Sequence, residues 1–325
     1  MGTDELTSNR SLIAAGAEPR AVGIPCEELL ATSTDFLDLD ALPRRILFIG
    51  GGYVSFEFAH IAARAGASVT IAERGKLPMN AFDPDLVFEL EAASEEAGIR
   101  VRTETEITSI ERRDSHLAAR SGRGEELEAN LVVHGAGRAP EIGAVDLAVG
   151  EVEFDPARGV HVNEYLQSTS NPRVYAAGDA ANTRGWPLKP VAVHEGLIAT
   201  SYLLHGNHET PDYTGTPSVA FTVPALARAG LTEEEAHAQG LDFEVNMQRT
   251  SGRFTARRTR EEHAAYKVLS ESGSGRIMGA HLLGGNAAEV IDVYALAIRH
   301  GLTAREMKTS VLVHPAAASD VVYMV

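Results

Sequence analysis

The chain has 325 residues, of which 44% are apolar and 23% charged, the balance of an ordinary globular protein, and its length suggests two or three domains at about 150 residues each. The 29 Lys and Arg against 45 Asp and Glu leave a net charge of −16, which disfavours nucleic acid and anionic membrane as bulk partners. One cysteine, Cys26, excludes an intramolecular disulfide, a dithiol redox pair and a cysteine-based zinc cluster within these residues. No H-E-x-x-H pattern occurs among the 12 histidines, so no metal is expected. No apolar run approaches the roughly 20 residues of a membrane span, and the first ten residues lack a secretory pattern, so a cytoplasmic location is expected.

In chain order, Ile46–Ile49 reads as a buried strand, followed by Gly50-Gly51-Gly52 and a helix from Tyr53 to Ala65 with Gly66 as its C-cap. Val69–Ala72 is a second strand ending at Glu73. Asp83-Pro84 supplies an N-cap and an N1 proline for a helix running to Gly98. Strand-like runs follow at Ile99–Arg102, Glu106–Arg112, Leu117–Arg120 and Leu127–Val133, closing near Gly135-Ala136-Gly137. Arg173–Ala177 is a further strand, entering Gly178-Asp179, and a helix is expected from about Val193 to His205. Pro211–Pro217 reads as a linker.

Beyond it, strands at Val219–Thr222, Phe243–Gln248, Ala264–Leu269 and Arg276–Leu283 and helices at Thr232–Gln239 and Ala287–His300 make an α+β unit. The basic run Arg253–Arg260 reads as a solvated strand face, and His314-Pro315 as a turn before a terminal strand.

Gly50-x-Gly52-x-x-Ser55, set between a strand and a helix, carries the clearest chemistry. The first glycine allows a tight turn, the second lets backbone approach a pyrophosphate, and a small third residue permits close helix–strand packing. Glu73 stands about 20 residues on, where an acid accepts hydrogen bonds from the adenosine ribose. A carboxylate there favours NAD over NADP, although Arg74 beside it offsets part of the repulsion of a 2′-phosphate. The alternative is a glycine turn of purely structural purpose. At Gly178-Asp179, small residues end a strand where a bulky cofactor could approach, and a plain Gly-Asp turn is an equal reading.

Four collinear stretches then resemble one family. LIAAGAEPR at 12–20, ILFIGGGYVSFEFA at 46–59, TSNPRVYAAGDA at 169–180, and SVAFTVPALARAGLTEEEA at 218–236 with HPAAASD at 314–320 are similar to the pyridine nucleotide–disulfide oxidoreductases, the glutathione reductase and mercuric reductase group. The resemblance implies an α/β fold in four parts. These are the end of a first FAD-domain segment with a linker (1–43), a Rossmann-like NAD(P)-binding domain (44–140), a second FAD-domain segment (141–212) and an α+β dimerisation domain (213–325).

It implies FAD and NAD as cofactors, a homodimer, and hydride transfer from nicotinamide to flavin, with a small-molecule or disulfide acceptor left open. Gly50, Gly52, Ser55, Glu73, Arg74 and Gly137 would belong to the nicotinamide dinucleotide site, with Tyr53 as the lid over the nicotinamide. Glu57 would match the glutamate paired with a lysine beside the flavin, Asp179 the aspartate on its ribityl chain, and Pro190, Val191 and Ala192 the backbone near its ring, with Gly178 also a cofactor-binding position. His314 would match the base serving the partner subunit's thiols.

Four features depart from that pattern. The family's FAD-binding G-x-G-x-x-G, its Cys pair and the lysine partner of Glu57 are not among these residues, and Ser319 stands where the family commonly carries a glutamate. A truncated or partial chain is therefore expected, completed by a separate FAD-domain chain or by an upstream segment, with a non-catalytic NAD-binding dimer as the alternative.

Overall fold

The computed structural model describes residues 7–325, in which the chain forms two units: residues up to Arg20 with Arg138–Tyr213, and Ala21–Gly137 with Thr214–Val325.

In the second unit a four-stranded parallel sheet runs in the order Ile99–Arg102, Ser68–Ala72, Arg45–Ile49, Leu131–His134. Parallel strands covered on both faces read as unbroken apolar runs, and Ile46–Ile49 is buried throughout. The Tyr53–Arg64 and Pro84–Glu96 helices pack on this sheet, joining Phe48, Ile71, Phe56, Leu86 and Leu90 in one core. Asp83 caps the second of these helices by accepting the Asp85 N–H. Leu127–Val133 is two strands rather than one. The chain breaks at Asn130, whose side chain accepts the Arg45 N–H, so Glu126–Ala129 completes an antiparallel meander with Ile107–Arg112 and Leu117–Ser121.

A five-stranded antiparallel sheet follows, in the order Pro217–Ala220, Ala225–Gly230, Ile277–Gly284, Ala265–Glu271, Phe243–Arg249. The Ala225–Gly230 strand was not expected, because Ala-Leu-Ala-Arg-Ala-Gly carries no β-branched residue; pairing on both sides and burial hold it. Residues 254–259 of the basic run form a short helix, not a strand, with Ala256 turned inward. His314-Pro315 leads into a 3₁₀ segment, Ala317–Tyr323, in place of a terminal strand. The Ala287–Arg299 helix presses Val290, Ile291 and Tyr294 towards Tyr266, Val268 and Leu282 of the sheet.

A charge cluster ties the five-stranded sheet to the start of the Pro84–Glu96 helix. Lys267, 2% exposed, bonds Asp83 at 2.9 Å, Asp85 at 2.5 Å and Glu233 at 3.0 Å. Arg228 beside it donates to the Ala81 and Gly230 carbonyls and to Glu235. A buried ammonium persists only when so compensated, and removing one partner strands the rest.

In the first unit Ser11–Ile13 pairs in parallel with Val174–Ala176, and Ala17–Pro19 pairs with Arg138–Pro140. Phe154–Asp155, Gly159–His161 and Ala181–Asn182 make a small sheet. The helix expected from Val193 begins four residues earlier, at Lys189, because Pro190 sits in the first turn, where its missing N–H costs nothing. Among the described residues no helix is long and apolar enough to cross a membrane, and no cluster of three or more His, Cys, Asp or Glu could hold a metal ion.

His60 in the Tyr53–Arg64 helix is 1% exposed and lies 3.1 Å from Ser94 Oγ, which donates to the Leu90 carbonyl. Burial, aided by Arg64, lowers its pKa from 6.5 to about 4. The unfolded chain therefore takes this proton first as pH falls, and the stability present above about 6.5 is lost towards pH 4. Urea unfolding at pH 7 and pH 4.5, at fixed protein concentration, should show a loss that shrinks by about 2–3 kcal/mol in His60→Asn. Equal losses in both proteins would contradict the assignment.

Candidate functional site

The parallel sheet ends in a glycine turn that steric contact dictates. Gly50 has φ +95°, and a Cβ there would lie 2.6 Å from the Gly135 carbonyl oxygen. A Cβ on Gly135 would in turn lie 1.9 Å from Ser55 Oγ. The fully buried Ser55 thus needs a glycine opposite it, and Gly135, not singled out by sequence, is the residue that lets helix and strand meet.

Gly52 caps the Tyr53–Arg64 helix from an extended conformation and offers no side-chain acceptor to the first-turn N–H groups. A Cβ at Gly52 would meet only the Gly135 oxygen, at 3.5 Å, so nothing in the fold demands glycine there.

Glu73 stands at the end of the neighbouring strand. Its carboxylate takes the Gly51 N–H at 2.6 Å and the Gly75 N–H at 2.5 Å, which fixes it against the glycine turn. Arg74 is exposed, on the outside of the same loop. Gly50, Gly52, Ser55 and Glu73 are therefore brought together, with Gly51, Gly75 and Gly135 as partners. Gly137 follows with φ +102° and no atom within 4 Å of where its Cβ would lie. Tyr53, 48% exposed, opens the helix. Glu57, one turn on, is half-buried and accepts the Phe221 N–H at 2.8 Å; burial raises its pKa against that bond. His314 is exposed and stacks on Phe254 at 6.3 Å. Neither Ser319 nor Asp320 hydrogen-bonds it: Ser319 donates to the Ala316 carbonyl and Asp320 accepts from Thr255.

The second group of site residues lies in the other unit. Gly178 turns with φ +64° against the first turn of the Lys189–His205 helix, and a Cβ on it would meet Ala192 Cβ at 2.9 Å. Asp179 follows, partly exposed, and Val191 is buried beside Ala192. Behind the turn, the fully buried Glu195 accepts the Gly178 N–H, a contact that sequence reading missed because a glutamate in a helix ordinarily faces water.

A glycine turn between a parallel strand and a helix, with an acid at the end of the neighbouring strand, is the arrangement of a Rossmann-type domain. Residues 2–196 match the family model for pyridine nucleotide-disulphide oxidoreductases, and 216–325 match the model for that family's dimerisation domain. The chain belongs to this family of FAD-dependent, NAD(P)H-using oxidoreductases. It is 32% identical over 311 residues to glutathione reductase of Burkholderia cepacia, which covers 96% of this chain and 69% of the relative. It is 46% identical over 180 residues to an uncharacterized 19.7 kDa protein in a mercuric resistance operon of Staphylococcus aureus, covering 55% of this chain and 99% of that one. The HOCl-induced flavoprotein disulfide reductase RclA from Escherichia coli shares the fold with a TM-score of 0.88 at 22% identity, over 97% of this chain and 72% of that one.

FAD fits the described residues only at its flavin end. Gly178, Asp179 and the helix start at Val191-Ala192 leave a close approach beside a free carboxylate. The G-x-G-x-x-S turn at 50–55 is the one such turn here, so the adenylate half has no cradle among the described residues.

The steric account predicts that Gly135→Ala destabilises the protein by about 1–3 kcal/mol, as overpacking does, and that adding Ser55→Gly restores most of the loss. Denaturant unfolding of the two single variants and the double variant measures it. Additive losses would contradict the contact.

Proposed function

We propose that the chain is the NADH-binding, dimer-forming part of a flavoprotein oxidoreductase. The observation that carries this reading is the glycine turn packed against Gly135, with Glu73 locked at its side. The pyrophosphate would lie over Gly51 and Gly52 at the N-terminus of the Tyr53–Arg64 helix, where backbone N–H groups and the helix dipole favour negative charge. Glu73 would accept from the adenosine ribose while keeping its two backbone donors, and Tyr53 would stand over the nicotinamide end. Among the described residues only the flavin end of FAD finds partners. A further segment, preceding these residues or supplied as a separate chain, would complete the site.

A second reading, an NAD-binding dimer without redox chemistry, is favoured by the single exposed Cys26 and by Ser319 and Asp320 bonding elsewhere than to His314.

NADH should bind at least about tenfold more tightly than NADPH, because a 2′-phosphate would face the Glu73 carboxylate. Titrating nicotinamide fluorescence with each cofactor tests this; equal or tighter binding of NADPH would overturn it and would make Arg74 a phosphate ligand. The dimerisation domain supports a homodimer with self-complementary contacts. Light scattering at micromolar concentration should return twice the 34.7 kDa chain mass, and a monomer mass would refute it.

A further inference from the structure

Glu195 is a carboxylate fully withdrawn from water, with no cation bonded to it. Three donors converge on it from separate parts of the first unit. The Gly178 N–H lies 2.7 Å from Oε2, while Thr183 Oγ1 and Tyr213 Oη lie 2.8 and 2.6 Å from Oε1. Such a buried group is tolerated when every lone pair has a donor, and it is expensive when one is removed. The space around it is closed. A Cβ on Gly185 would fall 3.0 Å from Oε1, 2.8 Å from the Tyr213 ring and 2.7 Å from Val191. Each donor marks a different element: the turn that carries Asp179, the short strand's exit at Thr183, and Tyr213, the last residue of this unit.

We propose that Glu195 is a positioning residue, which holds the Gly178-Asp179 turn in its left-handed conformation and so aims the Asp179 carboxylate at a bound flavin polyol. The inference rests on the reading of Asp179 given above, but the geometry of the turn stands without it. Gly178 at φ +64° and 2.9 Å from Ala192 in its Cβ position is a turn that must be held from one side, and its N–H is held by the Glu195 carboxylate. Tyr213 and Thr183 keep that carboxylate from rotating. Burial and the Glu195 charge push the Tyr213 phenol up, so it remains a donor throughout the neutral range. A glutamine at 195 would have one carbonyl oxygen for donors on both sides, and would satisfy either Gly178 or the Thr183–Tyr213 pair.

Hydrogen exchange of the peptide spanning 177–183 reads the positioning without any flavin. Glu195→Ala should speed exchange there by about tenfold or more under conditions where the rest of the chain exchanges as in wild type, and Glu195→Gln should fall between the two. Unchanged exchange at 177–183 in Glu195→Ala would overturn the proposal. If Glu195→Ala does not fold, Tyr213→Phe with Thr183→Val, which removes both Oε1 donors, replaces it, with faster exchange expected and unchanged exchange again fatal. Riboflavin fluorescence quenching separates the two ideas. If wild type and Asp179→Asn bind riboflavin alike, the reading of Asp179 fails while the exchange result still judges Glu195. If Asp179→Asn weakens riboflavin binding, Glu195→Ala should weaken it by a similar factor, and full wild-type affinity in Glu195→Ala would refute positioning.

Discussion

The absence of clearance between the Gly50–Gly52 turn, Gly135 and Ser55 is the constraint on which the site depends. With the Gly50 Cβ position 2.6 Å from the Gly135 carbonyl oxygen and that of Gly135 1.9 Å from Ser55 Oγ, the turn and the Tyr53–Arg64 helix lie in direct contact with the end of the central parallel strands. That contact fixes the first-turn N–H groups and the direction of the helix dipole. A dinucleotide site is then a matter of leaving one position open. In the proposed site Gly52 is that position, since a side chain there would meet almost nothing of the protein yet would obstruct a phosphate placed at the helix N-terminus.

The loop after Glu73 is anchored at both ends, and by distant parts of the sequence. The Met79 N–H bonds the Gly51 carbonyl, tying the loop to the glycine turn. Arg228 holds the Ala81 carbonyl, and Lys267 holds Asp83 and Asp85 at the start of the next helix. The C-terminal sheet thus supports the loop after Glu73, the side proposed for the ribose, through a charge cluster centred on the buried Lys267 and Asp83. Rigid support of this kind is what a carboxylate needs if it is to discriminate between two ribose substituents rather than swing away from them.

Much of this was legible in the chain because local chemistry and burial agree. The Ile46–Ile49 run, the G-x-G-x-x-S spacing and the Asp83-Pro84 helix start each carry their reason within a few residues. The parts that were not legible depend on partners far away in sequence. Ala225–Gly230 is a strand because Pro217–Ala220 and Ile277–Gly284 flank it, and Asn130 splits an apolar run because it answers Arg45. Gly135, Lys267 and Glu195 could not be singled out, since a glycine, a lysine and a glutamate look alike in sequence whether they face water or a buried counterpart. His314 marks the opposite case. Its motif is readable, but Ser319 and Asp320 turn to Ala316 and Thr255 instead of to its ring.

Gly52→Ala tests the central claim most directly, because it alters the approach to the helix N-terminus while leaving the packing beneath it intact. Unfolding in denaturant should move by no more than about 1 kcal/mol, while NADH affinity, followed by nicotinamide fluorescence, should fall by at least about tenfold. Wild-type affinity for NADH in the folded variant would contradict the placement of the dinucleotide on this turn.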